Sequence, residues 1–243
     1  MLDEYDFHIL QLRYIREAMN DFTNYRPDDL TVALVDTFIA GAKTTRTDFL
    51  NAKTDFDLAM GGRNSANTAV HDACVSVFGI MKTRFRKDIV SSEVILKLPV
   101  DDRTPADTLR RGQTTGILWG KLPNPPGSLT PFKAWDTMDK AAFDALVTAL
   151  EQKLDTFTNE TDDYEEAQGN LHKKDAEMLD FITAALAQGR HQFAEGTTQR
   201  DVIDHIPTTP AQQSPLKAVI TVATSPAAGE AHLEFSATHA TTY

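Results

Sequence analysis

The sequence predicts a mainly α-helical protein, an antiparallel four-helix bundle of two long helical hairpins. An additional N-terminal helix, a long crossover and a short β-hairpin-like C-terminal tail complete the predicted fold. Two observations predict the helices and one predicts the tail. Apolar residues recur at spacings of three and four over most of the chain, which is the period of an amphipathic helix. Short glycine-rich or polar segments divide these stripes, and near the C-terminus the apolar residues alternate instead, which is typical of strands.

The composition is that of an ordinary folded protein and narrows the classes of partner. The chain has 243 residues, of which 41% are hydrophobic and 24% are charged. Its formal net charge of −11 repels the phosphate backbone, so we expect no nucleic-acid partner. A single cysteine, Cys74, rules out an intramolecular disulfide.

The N-terminus carries no targeting signal that we recognise. Residues 1–6 are acidic and lack the basic and apolar regions of a signal peptide. The sequence contains no apolar run long enough for a membrane span. We therefore expect a cytoplasmic protein with no membrane partner.

The first two helices are predicted from their buried stripes. Residues 3–20 form the N-terminal helix, which lies against the outside of the bundle or across one end. A second helix, opened by Pro27, Asp28 and Asp29, covers about 28–60. Its coiled-coil-like seam consists of Val35, Phe38, Ala42, Thr45, Phe49, Ala52, Phe56 and Ala59.

Two short interruptions are predicted to fold the long stripes into hairpins. Gly61-Gly62 ends the second helix, and a third runs from about 65 to 90, so 28–90 forms the first hairpin. Helices at about 136–158 and from 164 to about 194 form the second hairpin, joined by a polar link at 159–163. Each hairpin covers the apolar stripe of the other.

The crossover at 91–134 differs from the long helices because prolines interrupt it. Thr104-Pro105-Ala106-Asp107 predicts a short helix with a capping threonine, which extends to about Gly116. A turn-rich loop follows at 123–127. Another short helix is predicted at 198–205, beyond the second hairpin.

The C-terminal region predicts a separate unit. We expect a helical domain at 1–206, a linker at 207–215 and a β-like tail at 216–243. Two strands are predicted around Leu216–Val222 and Ala231–Phe235. Phe235 follows Leu233 by two residues, and Tyr243 follows Phe235 by eight. This segment resembles the opening strands of a fibronectin type III domain, with phenylalanine in place of the usual tryptophan. The resemblance implies the start of a β-sandwich whose remaining strands lie beyond this chain. The alternative is a β-hairpin tail that packs on the helical bundle.

No motif in the sequence predicts catalytic, metal or cofactor chemistry. Glu-x-x-His pairs, which di-metal bundles require, are missing. His71 and Cys74 share a helical face, but the facing seam provides no second pair of ligands. Asp201 and His205 are four residues apart without a nucleophile motif. We therefore predict no catalytic residue, no metal ligand and no cofactor.

The crossover and the neighbouring basic residues are the predicted interaction site. Long loops that carry aromatic residues are often functional. The alternative is that Trp119 and Trp135 are buried and pack the crossover against the bundle. A basic cluster at 82–87 either binds an anion or an acidic partner, or simply ends a helix. The candidate interaction residues are Trp119, Phe132, Trp135, Arg84, Arg110 and Arg111.

Two functions are compatible with these observations. The first is a non-enzymatic structural or protein-interaction bundle, which binds a protein partner or a second copy of itself. The alternative is a small-molecule or anion-binding bundle, and so a candidate enzyme, with a pocket near the 112–135 crossover. A deep pocket with convergent polar groups supports the alternative, and a solid core with an exposed apolar patch supports the first.

Overall fold

The computed structural model describes residues 2–99 and 103–209 with their side chains, and the backbone of residues 219–227 and 230–236. Within these residues the protein is mainly helical, as predicted. The helices are α1 (Leu2–Asp21), α2 (Val32–Arg84), α3 (Ile89–Ile95), α4 (Pro105–Lys121), α5 (Lys140–Gln192) and α6 (Thr198–Asp204). A 3₁₀ turn, Pro27–Asp29, precedes α2.

Two helices of 53 residues each, α2 and α5, replace the two predicted hairpins. The predicted turn at Gly61-Gly62 is wrong, because both glycines lie inside α2 with no positive φ angle. The predicted link at 159–163 is also wrong, because these residues lie inside α5. The prediction of a four-helix bundle depended on those two hairpins and is corrected together with them.

The heptad pattern explains why the helices continue. The predicted seam residues of α2 are all buried or half-buried, and Ala59, Ala66 and Ala73 follow one another by seven. The apolar stripe thus keeps the same phase on both sides of the glycines, which favours one continuous helix. Interior glycines cost only about 1 kcal/mol each relative to alanine, so they do not end the helix alone. In α5, Phe157 and Tyr164 preserve the phase in the same way.

The chain divides into two compact units. Unit 1 comprises residues 1–44 and 172–243, and unit 2 comprises residues 45–171. The predicted division into a helical domain, a linker and a tail stays a prediction.

In unit 1, α1 is a core element that contacts both long helices, not the peripheral helix that we expected. The Tyr5 hydroxyl donates to the carbonyl of Ala42 in α2 (2.8 Å). His8 Nδ1 lies 2.7 Å from Asp175 Oδ1 in α5. The predicted stripe of α1 is confirmed, since these residues are at most 5% exposed: Tyr5, Ile9, Leu12, Ile15 and Met19.

The tail belongs to unit 1 and is described as two strands, β1 (Val219–Ala227) and β2 (Glu230–Ser236). They pair antiparallel, from Val219 opposite Ser236 to Ala227 opposite Glu230. Most of the predicted linker, and Tyr243 of the fibronectin resemblance, lie outside the described residues.

In unit 2, α2 and α5 run antiparallel with an aromatic seam between them. Phe49 contacts Tyr164 and Phe56 contacts Phe157, with ring centroids 5.7 and 5.5 Å apart. The helices α3 and α4 pack against the part of this pair that contains Val70 to Phe85 of α2 and Phe143 to Leu150 of α5. The core there is formed by Val70, Ala73, Cys74, Val77, Met81, Phe85, Ile95, Trp119, Phe132, Ala134, Phe143, Val147 and Leu150.

Candidate functional site

Helix α3, which was not predicted, begins four residues after α2 ends. Asp88 caps its N-terminus and accepts hydrogen bonds from the backbone N–H of Ser91 (3.2 Å) and from the Ser91 hydroxyl (2.6 Å). These two hydrogen bonds hold the pKa of Asp88 below its usual value. Ser91 and Ile95, one turn apart, are both buried. The cap and these two residues therefore fix which face of α3 points to the core.

The opposite face of α3 presents large apolar side chains to solvent. Ile89 is 75% exposed and Val90 is 74% exposed. Val94 and Leu96 are exposed as well, at 44% and 56%. Single exposed apolar residues are normal, whereas four within residues 89–96 are typical of a surface that binds a partner, and the exposed Glu93 lies among them.

Exposed cations flank the apolar face of α3. Between residues 82 and 97 there are five lysines and arginines and two acids, 5 − 2 = +3, in a chain whose net charge is −11. None of the five cations has an ion pair or a side-chain hydrogen bond among the described residues. We call the following set the α3 surface: Lys82, Arg84, Arg86, Lys87, Lys97, Ile89, Val90, Val94 and Leu96.

Elsewhere in the described chain, several cations are paired with carboxylates. Arg16 Nε lies 2.9 Å from Asp36 Oδ1, and Lys53 Nζ lies 2.6 Å from Asp57 Oδ2. Asp204 is held by two arginines of unit 1. The α3 surface differs because five unpaired cations occur together beside exposed apolar residues.

Two of the predicted interaction residues, Trp119 and Phe132, lie together in the core beneath α3. Each is 5% exposed, and their ring centroids are 5.0 Å apart. The Trp119 indole N–H donates to the carbonyl of Phe132 (3.1 Å). The Phe132 ring also contacts Phe85 at the end of α2. Trp119 thus anchors the crossover to the long helices, where its ring contacts Phe143 of α5, and burial keeps both side chains from direct contact with a partner.

The other four predicted residues lie in different places. Arg84 is part of the α3 surface. Trp135 is 37% exposed in the crossover. Arg110 is exposed on α4 and donates to Asp107 (2.6 Å), and Arg111 is half-buried on the same helix. The α3 surface therefore includes one of the six predicted residues, and its apolar members were missed.

A stripe of glycines on α4 was also missed, although its spacing is visible in the sequence. Gly112, Gly116 and Gly120 are four residues apart and so share one helical face. A Cβ atom at Gly112 would lie 2.8 Å from Val147 Cγ2, and one at Gly116 would lie 2.7 Å from Asp144 Oδ1. The absence of side chains allows α4 to pack close to α5.

A groove of about 400 Å³ lies between α4 and α5. It is lined by Gly112, Gln113, Gly116, Ile117, Lys140, Asp144, Val147, Thr148 and Glu151. The ammonium group of Lys140 and the carboxylate of Asp144 form an ion pair with each other. The groove is therefore largely balanced in charge, with Glu151 as an additional exposed acid.

In the part of the chain that the structure describes, no group of three or more histidine, cysteine or acidic side chains is arranged to hold a metal ion. Among the same residues, no helix combines the length and the apolar character that crossing a membrane requires.

Comparisons with protein-family models, with curated proteins and with solved structures found no match to this chain. A function for this chain is therefore inferred from the chemistry of the site.

Proposed function

We propose that this chain is a non-enzymatic protein-interaction module, and that its α3 surface binds an acidic protein segment that also carries apolar side chains. The observation that carries the proposal is the combination of exposed apolar residues and unpaired cations on α3. Covering the apolar residues provides affinity, since full burial of an isoleucine or valine side chain stabilises by about 1.5–3 kcal/mol. The cations provide orientation and faster association with an acidic partner.

A protein partner fits the α3 surface better than a lipid bilayer or a nucleic acid. The helix has only seven residues, which gives little apolar area to insert into a membrane interface. The chain as a whole is strongly acidic and is repelled by anionic lipids and by phosphate backbones. The same net charge also opposes an acidic protein, but a protein segment with apolar side chains can cover Ile89 and Val90 as well as pair with the local cations, which a phosphate backbone cannot.

The groove between α4 and α5 supports the alternative function, the binding of a small molecule or anion. Its volume of about 400 Å³ is within the range of ligand pockets. However, its charged groups already pair with one another, and Glu151 disfavours an anion. We therefore place this alternative second.

The tail and the compartment remain proposals based on the sequence. We propose that the two strands of the tail correspond to the opening strands of a fibronectin type III domain. The cytoplasm is the compartment that we propose, because the single cysteine of the chain means that its fold needs no disulfide.

Binding of a synthetic peptide tests the proposed function. The probe is a fluorescein-labelled helical peptide with glutamate and leucine at helical spacing, and fluorescence anisotropy reports its binding to the full chain. We expect saturable binding that weakens as salt is added. A peptide with lysine in place of glutamate should not bind.

Two double variants separate the α3 surface from general apolar exposure. Ile89→Ser/Val90→Ser should abolish binding of the glutamate peptide. Leu34→Ser/Leu179→Ser changes two residues that are 53% and 50% exposed in unit 1 and should bind as the unmodified chain does. Equal binding by both double variants would exclude the α3 surface as the docking site.

A further inference from the structure

The middle of α5 carries a run of acidic residues that complements the α3 surface in charge. Residues 155–166, which we call the acidic segment, contain six acids and no lysine or arginine. The acids are Asp155, Glu160, Asp162, Asp163, Glu165 and Glu166. None of the six has an ion pair among the described residues. The sequence predicted a polar link at 159–163, but the structure places these acids on a continuous helix.

The acidic segment also offers apolar surface. Phe56 of α2 packs against Phe157 and Tyr164 of α5, and all three side chains are only half-buried. Glu160 lies three residues after Phe157 and four before Tyr164, so it borders this aromatic seam on the helix surface. The seam is therefore partly open, and it is bordered by Glu160 and by Arg63 of α2, whose guanidinium lies 3.9 Å from the centre of the Phe157 ring.

The two surfaces match in charge. The α3 surface carries five cations and one exposed acid, Glu93, beside its apolar residues. The acids of the acidic segment lie mainly on the face of α5 that is turned away from the aromatic seam, and only Glu160 borders the seam. Unlike charges attract and like charges repel when such surfaces meet, which selects this pairing over either surface with itself.

The two surfaces cannot meet within one chain. Phe56 and Arg84 are 28 residues apart on α2, and a rise of 1.5 Å per residue separates them by about 42 Å. The α3 helix is joined to the end of α2 by four residues, and Ile95 is fixed in the core there. Only another molecule can bring the acidic segment to the α3 surface.

We propose that the partner of the α3 surface is the acidic segment of a second copy of this chain. Two copies in antiparallel orientation bring both pairs of surfaces together, because the separation along α2 is the same in each copy. Each contact joins the α3 surface of one copy to the acidic segment of the other. A closed two-fold dimer therefore requires both contacts to form. This inference rests on the proposed function and assigns its partner.

Light scattering coupled to size exclusion, on the full chain, measures this association. We expect dimers at about 50 mM salt and monomers at about 500 mM, because the Debye length falls several-fold between these concentrations. Two charge-reversal variants locate the contact, Arg84→Glu/Arg86→Glu and Asp162→Lys/Glu165→Lys. Each alone should weaken dimerisation about ten-fold or more, as repulsion replaces attraction at both contacts.

An equimolar mixture of the two reversal variants provides the decisive control. In the mixed pair, the reversed α3 surface meets the reversed acidic segment, and the unmodified surfaces meet each other. We expect the mixture to dimerise as the unmodified chain does, which also shows that both variants are folded. A mixture that remains monomeric, or reversal variants that dimerise alone, would overturn the inference.

Two further results separate this inference from the proposed function. If the chain stays monomeric in low salt and still binds the acidic peptide through α3, self-docking fails and the proposed function stands. If neither binding occurs, both fail. Binding to phosphatidylglycerol vesicles but not to phosphatidylcholine vesicles, lost on Arg84→Glu/Arg86→Glu, would replace the second copy with an anionic membrane.

Discussion

Phe56 of α2 stacks on Tyr164 of α5 with ring centroids 5.1 Å apart and ring planes 22° from parallel. Phe56 lies just before the glycines that the sequence analysis expected to end a helix. Its partner lies directly after the predicted polar link in α5. The stacking thus occurs where both hairpins were expected to turn, and it fits two helices that continue side by side.

Gly61→Ala should stabilise the protein, because alanine favours an interior helical position by up to about 1 kcal/mol over glycine. A Cβ atom at this position meets nothing within 4 Å. We expect the free energy of unfolding, measured by urea denaturation, to rise by about 0.5–1 kcal/mol. Gly196→Ala is the control, because Gly196 has a φ of +78° and the same change should destabilise. A loss of stability at Gly61 would indicate a turn there.

Gly112→Ala should destabilise unit 2. The new methyl group would lie 2.8 Å from Val147 and 3.1 Å from Val70, so α4 must move away from both long helices. Overpacking of this kind costs about 1–3 kcal/mol, which urea denaturation measures. Gly79→Ala is the matched control, since its Cβ meets nothing within 4 Å on α2. Equal effects of the two changes would contradict the close approach of α4.

Trp119→Phe should destabilise the core beneath α3. The change removes the indole N–H and leaves the buried carbonyl of Phe132 without this donor. Loss of a buried hydrogen-bond partner costs about 1–3 kcal/mol. Trp135→Phe should have a small effect, because Trp135 is 37% exposed. Thermal unfolding followed by circular dichroism compares the two, and a larger loss at Trp135 would contradict the placement of Trp119.

Asp204 should make the stability of unit 1 depend on pH. Arg190 Nε and Arg200 Nε donate to its carboxylate at 2.9 and 2.7 Å and hold the pKa of Asp204 below its usual value. The folded state thus gains stability above the pKa of the unfolded carboxyl, and loses it as the pH falls through the lowered pKa. Asp204→Asn should lower the melting temperature near neutral pH but hardly at all in strong acid. A difference that persists in acid would exclude this ion pair as its cause.

Much of the fold could be predicted because helical periodicity is a strong signal. The stripe of α1, the seam of α2, the threonine cap of α4 at Thr104 and α6 are all confirmed. The break in α2 was wrong because Gly61-Gly62 was given more weight than the phase of the stripe, and the break in α5 was wrong because the polar residues 159–163 were given more weight than that phase. Ala59, Ala66 and Ala73 show that this phase is unbroken, so the sequence did contain the missing signal.

The α3 surface was less predictable than the helices. Isoleucine and valine are usually buried, so their types give no indication that Ile89 and Val90 are exposed. Only the fold shows that Ser91 and Ile95 occupy the core face instead. The basic cluster could be read from the sequence, but whether its members were paired could not. The glycine stripe on α4 was readable from its four-residue spacing.

The unbroken course of α2 is the central structural claim, because it separates the α3 surface from the acidic segment. Double electron–electron resonance between spin labels at Asp48→Cys and Ser76→Cys tests it, in a Cys74→Ala background. Both labelled residues are exposed. A continuous helix places them about 42 Å apart. A distance near 10 Å, the spacing of two packed helices, would restore the hairpin and contradict the account.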